Sequence, residues 1–156
     1  MQQRLHVITL AVDDLERSLA FYRDGLGFSS EGIVGASWSD ERTGANGAVA
    51  LFELEDGLIL SLYPRSDLAL DAEIDLLPAQ AGEFSLGQLV HGREEVDELL
   101  RKAELAGAAV TQAHDRPWGI YSGYFHDPDG HLWEVMWNPH RLPPSGHETA
   151  SGERID

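Results

Sequence analysis

The sequence contains no cysteine among its 156 residues. A disulfide framework, a thiolate nucleophile and a cysteine zinc site are therefore excluded. The sequence also has no apolar run long enough to cross a membrane, and strand-forming residues begin almost at the first position. We therefore expect a cytoplasmic protein with no membrane partner.

Positive charge is also scarce. Lys and Arg together number 11, against 27 Asp and Glu, which gives a formal net charge of −16. Such an acidic surface repels nucleic-acid phosphates and anionic lipids, so neither is an expected partner. The excess of acidic residues serves solubility, and it weakly favours a cationic ligand.

The most informative stretch that is present runs from Ile120 to Asn138. Aromatic and β-branched residues flank Asp127–Gly130, a turn sequence, so the stretch predicts two strands joined as a hairpin. Alternation along the second strand places Glu134 among apolar neighbours on one face, and Trp133 and Trp137 on the other face as core. A carboxylate in such a position is costly to bury without a partner, so Glu134 is the first functional candidate.

The remaining sequence repeats one order of elements. Each half reads strand, helix, strand, strand, strand, at a spacing of about 80 residues. The first half covers about 4–64 and the second about 83–138, with a crossover at 65–82 between them. The single predicted domain therefore spans 1–138, and the polar segment 139–156 is predicted to be a flexible C-terminal tail.

Several local predictions depend on the same pattern. In the first half we predict a helix that is capped by Asp13, followed by a strand from Phe28 to Ser39. In the second half we predict a strand from Ala109 to His114. Each half leaves one sheet face uncovered, so the two sheets must join or face something.

Two segments carry a family resemblance: Ala11–Tyr22 and Asp127–Glu134, with Gly25–Phe28 between them. On these residues the chain resembles the vicinal oxygen chelate superfamily, which includes glyoxalase I, bleomycin-resistance and fosfomycin-resistance proteins and extradiol dioxygenases. The resemblance implies an α+β fold of two βαβββ modules, whose strands curl into a cup with helices outside. It also implies that a ligand, often on a divalent metal, lies inside the cup, and that two chains pair as a homodimer.

The same resemblance places the family's metal ligands at the positions of Val7, Ser61, Ser85 and Glu134. Only Glu134 is a residue that the family uses there, and His6 lies one position from the first site, which turns it to the opposite strand face. One carboxylate and two hydroxyls suit a transition metal poorly. We therefore expect no metal and no other cofactor, with a divalent metal on atypical ligands as the alternative.

The resemblance and strand alternation together predict a ligand pocket, whose members are Val7, Thr9, Ser61, Ser85, Trp118, Ser122, Tyr124, Leu132, Glu134 and Met136. Glu134 and Tyr124 are the best catalytic candidates, as a general base and a substrate-polarising group. The competing interpretation makes Glu134 a structural carboxylate held by neighbouring hydroxyls. For His126 and His131, which flank the hairpin turn, we predict solvated side chains.

The predicted function is therefore the binding of a small organic molecule, similar to the bleomycin-resistance type that sequesters a drug or metabolite. The alternative is a glyoxalase-like lyase or isomerase, or a dioxygenase, with atypical metal ligands. A third possibility is a structural or regulatory module whose cup is filled.

Overall fold

A computed structural model describes residues 2–143 of the chain. Most of the predicted C-terminal tail, from 144 onward, lies outside these residues. Nine strands form two sheets, one from each half of the chain.

The first sheet has the strand order β1-β4-β3-β2, with β1 parallel to β4 and the other pairs antiparallel. Its strands are β1 (Val7–Val12), β2 (Ile33–Val34), β3 (Val49–Glu53) and β4 (Ile59–Pro64). Two helices belong to this half: α1 (Leu15–Ala20), which continues as a π-helical turn (Phe21–Gly25), and α2 (Arg65–Asp71).

The second sheet has the strand order β5-β9-β8-β6, with β7 also paired to β8. Its strands are β5 (Ser85–Val90), β6 (Ala109–Val110), β7 (His114–Asp115), β8 (Tyr121–His126) and β9 (Leu132–Trp137). Its helix, α3 (Arg93–Leu105), connects β5 to β6. The predicted α+β fold, with a mixed sheet and outer helices in each half, is confirmed.

Three local predictions are wrong. The strand expected from Phe28 to Ser39 is reduced to β2, because Gly32 and Gly35 on either side adopt φ of +101° and +73°, which extended strands do not allow. The strand expected from Ala109 to His114 is split into β6 and β7. Helix α1 is capped by Asp14, whose carboxylate accepts the Arg17 backbone N–H.

The helix-facing sides of both sheets share one hydrophobic core. Tyr22 lies at its centre, with its ring 5.8 Å from that of Phe52 in the first sheet and 6.0 Å from that of Trp133 in the second. Trp133 is only 6 % exposed, and Val96 of α3 is fully buried beside it in the same cluster. The two halves of the chain are therefore joined through this core.

A buried polar network fastens the hairpin turn of the second half to α1. The Asp127 carboxylate accepts from the Tyr22 hydroxyl at 2.6 Å and lies 2.8 Å from Nδ1 of His131. The Asp129 carboxylate accepts from the Ser18 hydroxyl at 2.6 Å. Because a carboxylate can only accept, His131 must carry its proton on Nδ1.

This network corrects the prediction for His131, whose side chain is only 13 % exposed and is not solvated. Burial alone would raise the pKa of Asp127, but the hydrogen bonds from His131 and Tyr22 outweigh burial and lower that pKa. Burial and the neighbouring Asp127 charge raise the pKa of Tyr22, so the phenol stays a donor.

Within residues 2–143, no helix is long and apolar enough to span a membrane.

Candidate functional site

The side of the second sheet that faces away from the helices, here called its open face, carries most of the predicted pocket. Strand pairing sets Tyr124 opposite Glu134, and Ser122 opposite Met136. Parallel pairing with β5 places Gly87 beside Glu134 and Ser85 beside Leu132. The hairpin register therefore brings six of the predicted residues onto one surface: Ser85, Ser122, Tyr124, Leu132, Glu134 and Met136.

Glu134 is half-buried on this face and is held by a neighbouring hydroxyl. The Ser122 Oγ donates to Oε1 of Glu134 at 3.0 Å, and Ser122 itself is fully buried. The Nε of Arg116 donates to the same Ser122 oxygen at 3.2 Å. One hydroxyl therefore fixes a carboxylate on one side and a guanidinium on the other.

Arg116, which the sequence analysis did not place in the pocket, also belongs to this arrangement. It lies in the loop before β8, and its guanidinium carbon lies 5.6 Å from the centre of the Tyr124 ring. Pairing of β7 with β8 sets His114 opposite Ser122, and so brings the loop that follows β7 to this edge of the sheet. We call Arg116, Ser122, Tyr124 and Glu134 the Glu134 cluster.

Tyr124 contributes a neutral phenol to this cluster. Burial, together with the negative charge of Glu134, raises the pKa of Tyr124, and the charge of Arg116 only partly offsets this. The phenol therefore keeps its proton through the neutral range and can donate a hydrogen bond to a ligand oxygen.

Trp118 stands next to the cluster in sequence and is displayed to solvent. Trp118 is 82 % exposed. Its backbone has a φ of +63°, a left-handed conformation that a bulky residue rarely adopts. Trp118 therefore does not belong to the hydrophobic core, and its role in stacking a ligand stays a prediction.

The other predicted residues, Val7, Thr9 and Ser61, lie on the open face of the first sheet. Strand pairing sets Thr9 beside Ser61 and Ser61 opposite Leu51. Val7 is 49 % exposed and Leu51 is 40 % exposed, whereas Ser61 is buried. In the described part of the chain, no hydrogen bond joins these residues to the Glu134 cluster.

The residues around Glu134 do not fit a divalent metal. Among residues 2–143 no three His, Asp or Glu side chains come close enough to hold one. The neighbours of Glu134 are the Ser122 hydroxyl, which already donates to it, and a guanidinium, which would repel a cation. The four family positions thus supply one carboxylate, two hydroxyls and an alkyl group.

Three comparisons with known proteins bear on this geometry. The family model for the Glyoxalase/Bleomycin resistance protein/Dioxygenase superfamily matches residues 4–135. The glutathione transferase FosA of Serratia marcescens is 27 % identical over 135 residues, which cover 86 % of this chain and 81 % of FosA.

Solved structures share the fold. The glyoxalase-related enzyme from Fulvimarina pelagi superposes with a TM-score of 0.72 and 29 % identity, covering 88 % of this chain and 90 % of that one. A variant of the fosfomycin resistance protein FosX from Listeria monocytogenes, in complex with Mn(II) and 1S,2S-dihydroxypropylphosphonic acid, superposes with a TM-score of 0.60 and 22 % identity, covering 86 % and 90 %. At that identity the likeness to FosX shows the fold alone.

Proposed function

The chain belongs to the Glyoxalase/Bleomycin resistance protein/Dioxygenase superfamily, and we propose that it binds a small organic molecule at the Glu134 cluster without a divalent metal. The observation that carries this proposal is the hydrogen-bond chain from Arg116 through Ser122 to Glu134. The Ser122 hydroxyl already donates to the carboxylate, so Glu134 has a hydrogen-bond partner without a metal. Among the described side chains, the two terminal nitrogens of Arg116 have no acceptor, and the Tyr124 phenol interacts only with Glu134, so these groups can turn to a ligand.

The relatives agree with a small-molecule ligand, although each names a different chemistry. FosA is a glutathione transferase, and the structure of FosX holds a small phosphonic acid together with Mn(II). The likeness to FosX is one of fold alone, and the ligand of this chain is proposed from its own residues. Sequestration of a drug or metabolite is the simplest function for a site of this kind, because it needs binding alone.

Glu134→Gln tests the role of the carboxylate. We expect this variant to keep the fold, because Ser122 can still donate to the amide oxygen, and to bind fragments that donate to Glu134 about tenfold more weakly. The measurement is a fragment screen by ¹⁵N–¹H spectra of EDTA-treated protein, with titration of each hit into wild type and variant. Glu53→Gln, an exposed change on the first sheet, is the matched control.

Hits that shift the amides of β8 and β9 near Glu134, and lose affinity only in Glu134→Gln, support the proposal. Hits that map elsewhere on the chain, or no hits at all in a diverse library, would refute it. Equal affinities in Glu134→Gln and Glu53→Gln would remove the carboxylate from the site.

The second candidate is an enzyme, which the neutral Tyr124 phenol beside Glu134 favours. In that case Glu134 takes a proton from the substrate while Tyr124 donates to the oxygen on which negative charge develops. Under this alternative Glu134→Gln removes turnover of a bound fragment but leaves its affinity within about twofold. The glyoxalase-related enzyme of Fulvimarina pelagi is the relative that supports it.

We further propose that a second copy of the chain covers the two open faces and completes the cup. The open face of the first sheet exposes Val7 and Leu51. In addition, β1 and β5 are edge strands, each with one side that pairs with no strand of the described chain, and proteins avoid leaving such edges in solvent. Covering both faces by the same two-fold contact buries them without any new element.

This assembly predicts a particle of twice the 17.2 kDa chain mass by light scattering. We expect Leu51→Glu to shift the protein toward the single chain, because it places a charge on the covered face. Leu105→Glu, at an exposed helix end on the other side of the molecule, should leave the mass unchanged. A wild-type protein that scatters as a single chain at micromolar concentration would contradict the assembly.

A further inference from the structure

We propose that Arg116 forms an oxyanion subsite within the Glu134 cluster, so that the ligand of this protein carries a carboxylate, phosphonate or similar group. The inference deepens the proposed function and rests on it. It depends on the partners, burial and charge of Arg116 rather than on Glu134.

Arg116 differs from the other arginines of residues 2–143 in its partners. Five of them pair with a carboxylate: Arg17, Arg23, Arg42, Arg65 and Arg93. Three more are exposed and have no described carboxylate partner: Arg4, Arg101 and Arg141. Arg116 alone in this part of the chain is partly buried without a carboxylate in salt-bridge contact. A partly desolvated cation that no acid neutralises favours an anionic ligand.

The guanidinium is also fixed in orientation. Its Nε donates to Ser122, whose hydroxyl is buried, and its central carbon lies over the Tyr124 ring at 5.6 Å from the ring centre. These two contacts restrict the long side chain. The two terminal nitrogens, which have no acceptor among the described side chains, present the parallel N–H pair that an oxyanion accepts in bidentate fashion.

The negative charge of the chain and of Glu134 narrows the kinds of ligand that fit this cluster. The chain carries a formal net charge of −16, so its surface as a whole repels anions. Glu134, on the other side of Ser122, disfavours a second negative group and accepts a hydrogen bond instead. The cluster therefore matches a compact molecule with an oxyanion at one end and a hydroxyl or amine donor at the other. The weak preference for a cationic ligand, expected from net charge alone, is replaced by this local preference.

The test compares benzoate, phenylphosphonate and benzylammonium, which share a ring and differ in charge. Each is titrated into ¹⁵N-labelled full-length protein at pH 7 while the arginine Nε–Hε signals are followed. We expect benzoate and phenylphosphonate to shift the Arg116 signal with saturation, and benzylammonium to leave it unmoved. The stronger of the two anions then distinguishes a carboxylate subsite from a phosphonate subsite.

Variants separate charge from fold. Arg116→Gln should weaken the binding of both anions by about tenfold or more, and Arg116→Lys should recover part of the loss, because lysine keeps the charge but not the bidentate fork. Arg101→Gln, an exposed arginine on α3, is the matched control and should change nothing. Thermal unfolding of each variant shows whether the fold is retained.

Benzylammonium binding as tightly as the anions, or an Arg116→Gln affinity equal to wild type, would overturn the oxyanion subsite. If neutral fragments still map to β8 and β9 in that case, the proposed function stands without it. If no compound of either kind maps there, both inferences fall.

Discussion

Replacing Asp127 by alanine is expected to lower the free energy of unfolding by about 3–5 kcal/mol. The Asp127 carboxylate is buried and accepts from the Tyr22 hydroxyl, from Nδ1 of His131 and from two backbone N–H groups of its own turn. Alanine would leave all of these donors without a partner in a site closed to water. Each buried donor that loses its acceptor costs about 1–3 kcal/mol, and some of that cost is relieved by local rearrangement.

Asp127→Asn is the matched control, because the amide oxygen can still accept the backbone N–H groups. Urea unfolding at pH 7 should therefore place Asp127→Asn between wild type and Asp127→Ala. An Asp127→Ala protein within about 1 kcal/mol of wild type would mean that the network does not hold the hairpin to α1.

The same network sets a pH dependence. The folded pKa of Asp127 is lowered below its unfolded value near about 3.9. The stability that this group contributes is therefore fully present above the unfolded pKa and is lost as the pH falls through the folded value. Wild type should therefore lose more stability than Asp127→Asn as the pH falls from neutral through the folded pKa of Asp127.

Replacing Trp133 by alanine is the second large change, with an expected loss of about 3–5 kcal/mol. The Trp133 ring is 6 % exposed, stacks on Phe125 with ring centres 5.8 Å apart, and donates from Nε1 to the Tyr22 hydroxyl at 3.0 Å. Its removal opens a cavity at the point where the two halves of the chain meet.

Trp137 and Trp118 provide graded controls for this prediction. Trp137 is half-buried beneath the guanidinium of Arg93, so Trp137→Ala should cost less than Trp133→Ala. Trp118 is displayed to solvent, and Trp118→Ala should change stability by no more than about 0.5 kcal/mol. Thermal unfolding that ranks Trp118→Ala as the most damaging of the three would contradict the core position of Trp133.

The hairpin could be interpreted from sequence because its turn fixes its register. Once Asp127–Gly130 is recognised as a tight turn, alternation alone decides that Glu134 and Trp133 point to opposite faces, and the structure places them so. The helices α1 and α3 follow from their apolar spacing for the same reason. Strand alternation and helical apolar spacing are local rules, and both patterns can be recognised directly in the sequence.

The errors come from contacts that local rules do not describe. His131 was expected in solvent, but Asp127 folds back across the turn and binds it. Arg116 could not be assigned to the site, because its place depends on how its loop returns to β8 and on the buried Ser122 hydroxyl. The strand expected from Phe28 is shortened because two glycines adopt positive φ, and the sequence alone does not show which glycines do so.

The predicted homodimer, the cytoplasmic location and the absence of a cofactor remain predictions. The family match establishes which superfamily the chain belongs to, and the donor set around Glu134 argues from its chemistry against the metal that Listeria FosX holds. A site that replaces the metal by Arg116 and Ser122 should bind its ligand in the presence of a chelator.

The most direct test is therefore the affinity of one fragment hit measured by calorimetry in EDTA and again with Mn(II), for wild type and for Glu134→Gln. The account predicts the same dissociation constant for wild type in EDTA and in Mn(II), and weaker binding by Glu134→Gln in both. Binding that appears only after Mn(II) is added, and that disappears in Glu134→Gln, would show a metal on Glu134 and contradict the account.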